Sequence, residues 1–452
     1  MFSKKDLLRL IIPLILEQIL GVAVGMVDVL MVSSVGESAI SGVSLVDSIN
    51  TLLFCLFAAL CTGGAIISAH YLGSKDYKNA CTAASQLILI STLIAGILSL
   101  VALLGNYGLL HLFFGDISAD VMKNARTYFF VSAFSFPMIA LYNANASLFR
   151  VMGNSKVSLY TSICANLIHV IGNAIFLYIF HMGVAGVAIS TLISRAISAL
   201  ILCYLISKEK NLIHIDFKNI FHFNYIMIKK ILAIGIPNGI ESSIFQVGKL
   251  LVTGITVSFG TSIIAANAIA GNICSFPTIP GNAIGIALIT VVGQTSGSGD
   301  NNKAKYYAKL LMTWGYGVMF LFNIVLFFGS PTIVNLYHLE AGTIPIVIQL
   351  LRYYSVVCAF IWPLAFALPN ALRAVGEVKY TMVVSIASMW IWRIGFSYVL
   401  GIYFGMGILG VWIAMSLDWV CRAILFTKRF FYGNWQTRSV LDDLGGLNVK
   451  KQ

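Results

Sequence analysis

Residues Gly25 to Ser34 read GMVDVLMVSS, and Asp28 is the charged side chain among them. It lies near the outer end of an almost wholly apolar run, Leu7 to Val32, whose acids are Glu17 and Asp28. A carboxylate inside a bilayer costs at least a few kcal/mol, so an acid placed there is a functional hypothesis by default. Asp28 follows Glu17 by eleven residues. At about 100° per residue that spacing returns to nearly the same helix face. Gly21 and Gly25 flank this face and are expected to let another helix or a ligand approach closely. A second polar stripe runs through Asn166, His169 and Asn173, spaced i, i+3, i+7, and Thr191 stands one turn before Arg195. A carboxylate with amide and hydroxyl oxygens can bind sodium, a hard cation that takes oxygen ligands. The same carboxylate, desolvated, can instead carry a proton, because burial favours its neutral form. The competing structural use is a bond from Asp28 to His169 or Arg195 that merely pins helices together. A lone membrane histidine is also often just a satisfied interhelical donor.

These residues need membrane-spanning elements to position them. Of 452 residues, 59% are hydrophobic and 10% charged; the mean hydropathy is +0.89. A soluble chain of this length exposes far more charge. The formal charge of +12 resides in short gaps between apolar runs, with no basic tract carrying interleaved aromatics. That placement fits topology and anionic lipid rather than nucleic acid. The eight cysteines lie in apolar runs without metal-ligand spacing and read as small reduced hydrophobes. The first apolar run lacks a small-residue cleavage site and reads as a retained helix.

A spanning helix needs roughly 20 apolar residues. On that measure twelve are expected: 7–33, 44–72, 81–105, 124–149, 157–180, 183–206, 231–259, 263–295, 305–330, 344–372, 379–404 and 406–427. Basic residues gather before the first helix and in the even-numbered gaps: Lys4, Lys5, Arg9, Lys75, Lys78, Arg150, Lys156, Lys208, Lys218, Lys303, Arg373 and, in the tail, Lys428 and Arg438. Acids such as Glu37, Asp116, Asp120 and Glu340 fall in the odd-numbered gaps, with Lys123 the main basic exception. The positive-inside rule then places both termini in the cytoplasm, in a multi-pass protein of the inner or plasma membrane. Asp47 is expected to open the second helix as a cap, and Asp418 to pair with Arg422 at i+4.

The halves repeat. Pro13 and Pro237 stand 224 residues apart, and the same offset maps Glu17 to Glu241, GSKDYKNA (from Gly73) to GSGDNNKA (from Gly297), and GVAGVAI (from Gly183) to GILGVWI (from Gly407). One residue out of step, LFRVMGNSKV (from Leu148) matches ALRAVGEVKY (from Ala371). Six helices per half make a parallel repeat, with substrate expected between halves that alternate in access. The expected division is an N-terminal six-helix lobe at 1–207, a cytoplasmic inter-lobe linker at 208–230, a C-terminal six-helix lobe at 231–430 and a cytoplasmic tail at 431–452. The linker stretch IHIDFKNIFHF (from Ile213) is amphipathic enough for a helix on the membrane surface. Symmetry that is kept reads as scaffold, so the Glu17 and Glu241 pair is expected to bind backbone or a basic side chain. Asp28 maps to Val252, and this asymmetry singles it out. Prolines 137, 277, 280, 363 and 369 interrupt helices near Asn143, Asn145, Asn267, Asn272 and Asn282. These bends can line a polar cavity, or the asparagines can simply satisfy broken backbone.

The opening Pro13 with VDVLMVSSVG, the AHYLGSKDYKNA loop, LFRVMGNSKV, GVAGVAIST and the late GVWIAMSLDWVCRA with Trp435 resemble the multidrug and toxic compound extrusion (MATE) family, on its NorM-like and DinF-like prokaryotic side. The motifs run in family order from about residue 7 to 436. The resemblance implies an all-α membrane protein of two six-helix lobes that exports organic cations or other amphipathic compounds against inward sodium or protons. It implies a first-lobe cation or proton site at Asp28, His169, Asn173 and Thr191. The residues themselves, apart from the resemblance, offer Asn143, Asn166, Asn267, Asn272 and Glu241 as candidate cavity residues. No cofactor is expected beyond the coupling ion, H+ or Na+, and no metal site beyond a sodium at Asp28, Asn173 and Thr191. The expected partners are small amphipathic or cationic substrates and membrane lipids, not nucleic acid, and the chain is expected to act as a monomer. The family often has a carboxylate where Asn173 stands and an asparagine where His169 stands, a departure that favours the proton. The NorM-like acid on the tenth helix is absent from FIWPLAFALPNALR (from Phe360).

Two other function classes compete. A lipid-linked oligosaccharide flippase needs a basic central cavity for diphosphate, and Lys249, Arg195 and Arg393 are few for that task. An enzyme needs a nucleophile–base pair, a metal motif or a phosphate loop. The Gly-rich GQTSGSGD (from Gly293) lacks the lysine and helix context of such a loop.

Overall fold

The computed structural model describes residues 2–217, 220–337, 339, 342–437 and 441; Lys218, Glu340, Arg438 and most of the C-terminal tail lie outside the described residues. Among the described residues there is no strand. The first half holds α1 (Lys4–Ser33), α2 (Glu37–Gly73), α3 (Tyr77–Leu104), a short α4 (Asn106–Phe114), α5 (Ala119–Phe134), α6 (Phe136–Val151), α7 (Ser155–Ala174) and α8 (Gly183–Ile206). The second holds α9 (Tyr225–Val257), α10 (Thr261–Cys274), α11 (Ile279–Gly297), α12 (Asn301–Asn335), α13 (Ile344–Trp362), α14 (Leu368–Ala374), α15 (Val378–Ser388) and α16 (Gly407–Tyr432).

Eleven stretches among the described residues are long and apolar enough to cross a membrane. The twelfth span is α5 with α6, broken at Ser135. Pro137 has no N–H to give the carbonyl four residues back, and the hydroxyl of Ser99 on α3 takes that role, donating to Ala133 O at 2.8 Å. The break is therefore satisfied from a neighbouring helix, as a membrane interior requires. Wider turns relieve α7 at Ile175–Ile179 and the spans of the second half at Pro363–Ala367, Met389–Gly395 and Ser397–Tyr403.

The repeat is visible in local geometry. Asp76 caps α3 by accepting from Asn79 N at 3.1 Å, and Asp300 caps α12 by accepting from Lys303 N at 3.0 Å. The preceding residues, Lys75 and Gly299, are both left-handed, with φ of 62° and 83°. Two compact units result, Phe2–Gly239 and a second that begins at Ile240, and the division falls inside α9. The first turns of α9 belong to the first unit. A Cβ on Gly63 of α2 would collide with the backbone of Ile231 and Gly235, so these helices meet backbone to backbone.

The inter-lobe stretch corrects the expectation of a surface helix. No helix occurs among the described residues between Ser207 and Asn224. Ile213 and Ile215, two apart, are fully buried, the period of an extended chain rather than a helix. Gln86 of α3 fixes its end, donating to His222 O at 2.8 Å and accepting from Asn224 N at 3.0 Å. The pairing burial of alternate residues outweighs the helical pattern that the polar positions suggested.

Candidate functional site

Three helices of the first unit converge on Asp28. α1 packs on α7, and α7 on α8. Asn173, fully buried on α7, donates from Nδ2 to Asp28 Oδ1 at 2.7 Å. His169, one turn earlier, places Nε2 3.7 Å from the same oxygen and 3.0 Å from Thr191 Oγ1 on α8. The Thr191 hydroxyl already donates to Val187 O at 2.9 Å, so it accepts from an Nε2–H of His169. That network assigns the proton to the ring nitrogen that faces Asp28. Ser190 fixes the helix pair by donating to His169 O at 2.7 Å. The structure thus gathers Asp28, His169, Asn173 and Thr191 into one cluster. Asp28 retains 22% side-chain exposure, against 12% for His169.

Arg195 takes no direct bond with Asp28 among the described contacts. Its Nη1 donates to Ser135 Oγ at 2.7 Å, at the break between α5 and α6, and its guanidinium lies 4.6 Å from the Phe54 ring centroid. Asp47 is a second acid of this neighbourhood, in electrostatic reach of Asp28 and Arg195 and hydrogen-bonded to Tyr128 and Asn50. Its expected role as a helix cap is corrected: α2 starts at Glu37, which leaves Asp47 ten residues inside the helix. The repeat could have found it, because at the offset of 224 Asp47 falls on Gly271. Of the two uses expected for Gly21 and Gly25, close approach of another helix does not occur among the described residues: a Cβ on either would meet nothing within 4 Å, so the face of α1 before Asp28 is open.

The other candidates separate from this cluster. Asn166 donates to Ser162 Oγ at 3.3 Å, within its own helix. Asn143 is half-buried on α6. Asn267, in the second unit, accepts from Trp412 Nε1 at 2.9 Å and lines a cavity of about 500 Å³. Asn272 is exposed and is not among that cavity's lining residues. Glu241 does not line it either: it is buried against Arg373 at 2.6 Å. Glu17 makes the equivalent bond to Arg150 at 2.6 Å and accepts from Ser158 Oγ at 3.0 Å. Asp418 is fully buried and bonded to Arg422 at 2.7 Å and to Ser388 Oγ at 2.6 Å.

The model of the MatE family matches the chain twice, over residues 13–175 and 237–399, an interval of 224 at both ends. The chain belongs to the MatE family. Among curated relatives, the "Uncharacterized transporter YisQ" of Bacillus subtilis is 26% identical over 94% of this chain and 92% of its own length. The "Probable multidrug resistance protein NorM" of Thermotoga maritima is 24% identical over 97% of this chain and 94% of its own length. Among solved structures, a MATE protein in a bent conformation superposes with a TM-score of 0.86 at 19% identity, covering 98% of this chain and 97% of the other. A MOP superfamily transporter from Pyrococcus furiosus, described as having a binding pocket of reverse polarity, gives 0.87 at 19% identity over 96% and 97% of the two chains. The protein is therefore a MATE-type multi-pass membrane transporter with the two six-helix lobes of that family, and not an enzyme.

Proposed function

We propose that this MATE transporter is a secondary antiporter that expels organic cations or other amphipathic compounds in exchange for an inward proton, with Asp28 as the ion carrier and both termini in the cytoplasm. The observation that carries the reading is the asymmetric cluster around Asp28. Its carboxylate is held by Asn173, faced by a histidine N–H, and reachable along the open face of α1. The names of relatives such as the NorM protein of Thermotoga maritima support drug-like substrates.

The geometry favours a proton over sodium. Asn173 presents its amide nitrogen to Asp28, not its oxygen, and Thr191 spends its hydroxyl proton on Val187 O. Few charged oxygens then remain to replace the hydration shell of sodium, whereas Asp28 needs only to gain and release a proton. His169 Nε2–H, 3.7 Å from Asp28 Oδ1, steadies the carboxylate once that proton leaves. Transport by purified protein in liposomes, with pH and sodium gradients imposed separately, tests the choice. Uptake should follow the pH gradient in sodium-free buffer and collapse with a protonophore. Uptake that needs sodium and ignores the pH gradient would replace the proton by sodium at Asp28, Asn173 and Thr191.

A further inference from the structure

The second unit holds no acid at the position of Asp28, yet it holds a cavity. That space of about 500 Å³ lies in the range of small-molecule sites. Lys249 of α9 and Arg393, in the wide turn after α15, both line it, and among the described residues no aspartate or glutamate does. Their charged groups lie 5.4 and 5.5 Å from the centroid of one ring, Phe245. Behind the wall, Asp418 is already engaged by Arg422 at 2.7 Å and stands 3.9 Å from Arg393. One buried acid thus faces two guanidinium groups. Arg393 is 11% exposed, and its buried Nε has no hydrogen-bond partner among the described residues. An orphaned guanidinium donor inside a protein is costly unless a ligand or water meets it. The rest of the lining is aromatic: Trp362, Phe366, Trp412 and Tyr354.

The two units differ here position by position. At the offset of 224, Gly25 falls on Lys249, Asp28 on Val252, Asp47 on Gly271 and His169 on Arg393. All four second-unit residues line the cavity. The first unit thus has two carboxylates where the second has none, and the second has two cations where the first has glycine and histidine.

We infer that this cavity is a binding site for an amphipathic organic anion, an aromatic or aliphatic body packed on the tryptophans with a carboxylate or phosphate head between Lys249 and Arg393. A net positive, aromatic-walled space favours a negative ligand by Coulomb attraction and by charge-assisted hydrogen bonds from Arg393. The inference rests on the transporter reading for its purpose but not on the coupling ion. Binding is measured without any gradient, so its failure and a failure of antiport are told apart.

The test is equilibrium dialysis of purified protein, in an uncharged maltoside detergent, against 1-naphthyl phosphate, 1-naphthol and 1-naphthylmethylammonium. The phosphate should bind at least about tenfold more tightly than the other two, the scale of one charge-assisted hydrogen bond. Lys249→Gln and Arg393→Gln should each remove about that factor, with naphthol binding unchanged. Arg393→Gln disturbs the Asp418 cluster and can unfold the protein; Lys249, on the exposed rim, keeps the test decisive. Displacement by short-chain phosphatidylglycerol but not by dioctanoylglycerol would identify a lipid phosphate as the occupant, and displacement by neither a soluble amphiphile. Equal binding of naphthol and naphthyl phosphate, tighter binding of the ammonium compound, or unchanged affinity in Lys249→Gln would overturn the proposal.

Discussion

The two units share their scaffold and differ in their charge. Glu17 with Arg150 and Glu241 with Arg373 form the same 2.6 Å buried ion pair in each, and Asp76 and Asp300 cap matching helices. Asp28 and Asp47, by contrast, meet Val252 and Gly271, while Lys249 and Arg393 replace Gly25 and His169. A duplicated fold needs its helix ends and buried pairs in both copies, because each copy must satisfy the same backbone and the same packing. It does not need the same charge in both cavities. Residues that the duplication keeps are read as structure, and residues at which it diverges as function. Among acids in membrane-spanning helices, this separates Asp28 from Glu241.

The largest expected effect breaks the comparison directly. Asp28→Asn is nearly isosteric, but its side chain can neither titrate nor carry a negative charge. It should leave expression and thermal stability near wild type while reducing gradient-driven uptake into liposomes to the level of protein-free vesicles. Asp47→Asn should reduce uptake less, since Asp47 acts on the cluster without touching its bonded core. Glu241→Gln, on the conserved side of the comparison, should retain gradient-driven uptake. Wild-type coupling in Asp28→Asn, or loss of coupling in Glu241→Gln with normal stability, would reverse the assignment of the two acids.

The second effect is on stability and should be equal in the two units. Removing one partner of a buried ion pair leaves an uncompensated charge, at about 3–5 kcal/mol. Arg150→Gln and Arg373→Gln should therefore lower the thermal unfolding midpoint in detergent by similar amounts. Double variants that also carry Glu17→Gln or Glu241→Gln should recover part of the loss. A large drop in one unit and none in the other would mean that one of these pairs is not scaffold.

Much of this was legible in the sequence because membrane solvent imposes long apolar runs, and duplication supplies an internal comparison. The runs gave the spans, and the stripe Asn166, His169 and Asn173 gave the face of α7 that meets Asp28. Four things were not legible. The extended stretch after Ser207 looked helical because alternate burial of Ile213 and Ile215 is hidden among polar neighbours. Asp47 stands where the apolar run begins and so resembles a cap, whereas Gly36 with φ of 123° ends the preceding turn and α2 begins at Glu37. The meeting of Lys249 and Arg393 on Phe245 joins residues far apart in sequence, and no local pattern encodes that contact. Donor direction at Asn173 and Thr191 is likewise set by neighbours in space.

The smallest effect sharpens the comparison at a single backbone position. Lys75 and Gly299 are equivalent turn residues, both left-handed, both followed by a capping aspartate. An L side chain in that conformation costs roughly 1–2 kcal/mol, while glycine adopts it freely at an entropic cost of about 0.5–1 kcal/mol. Lys75 is exposed, and a Cβ at Gly299 would meet nothing within 4 Å, so packing does not enter on either side. Lys75→Gly should therefore raise the unfolding midpoint slightly, by a change on the order of 0.5–1 kcal/mol, and Gly299→Lys should lower it by a similar amount. Transport should be unchanged in both, because neither residue belongs to the Asp28 cluster or the cavity lining. The swap carrying both substitutions should return to the wild-type midpoint if the two turns are equivalent. A midpoint that falls in Lys75→Gly would show that this lysine holds the first turn by a contact its counterpart lacks, and that the scaffold too has diverged between the units.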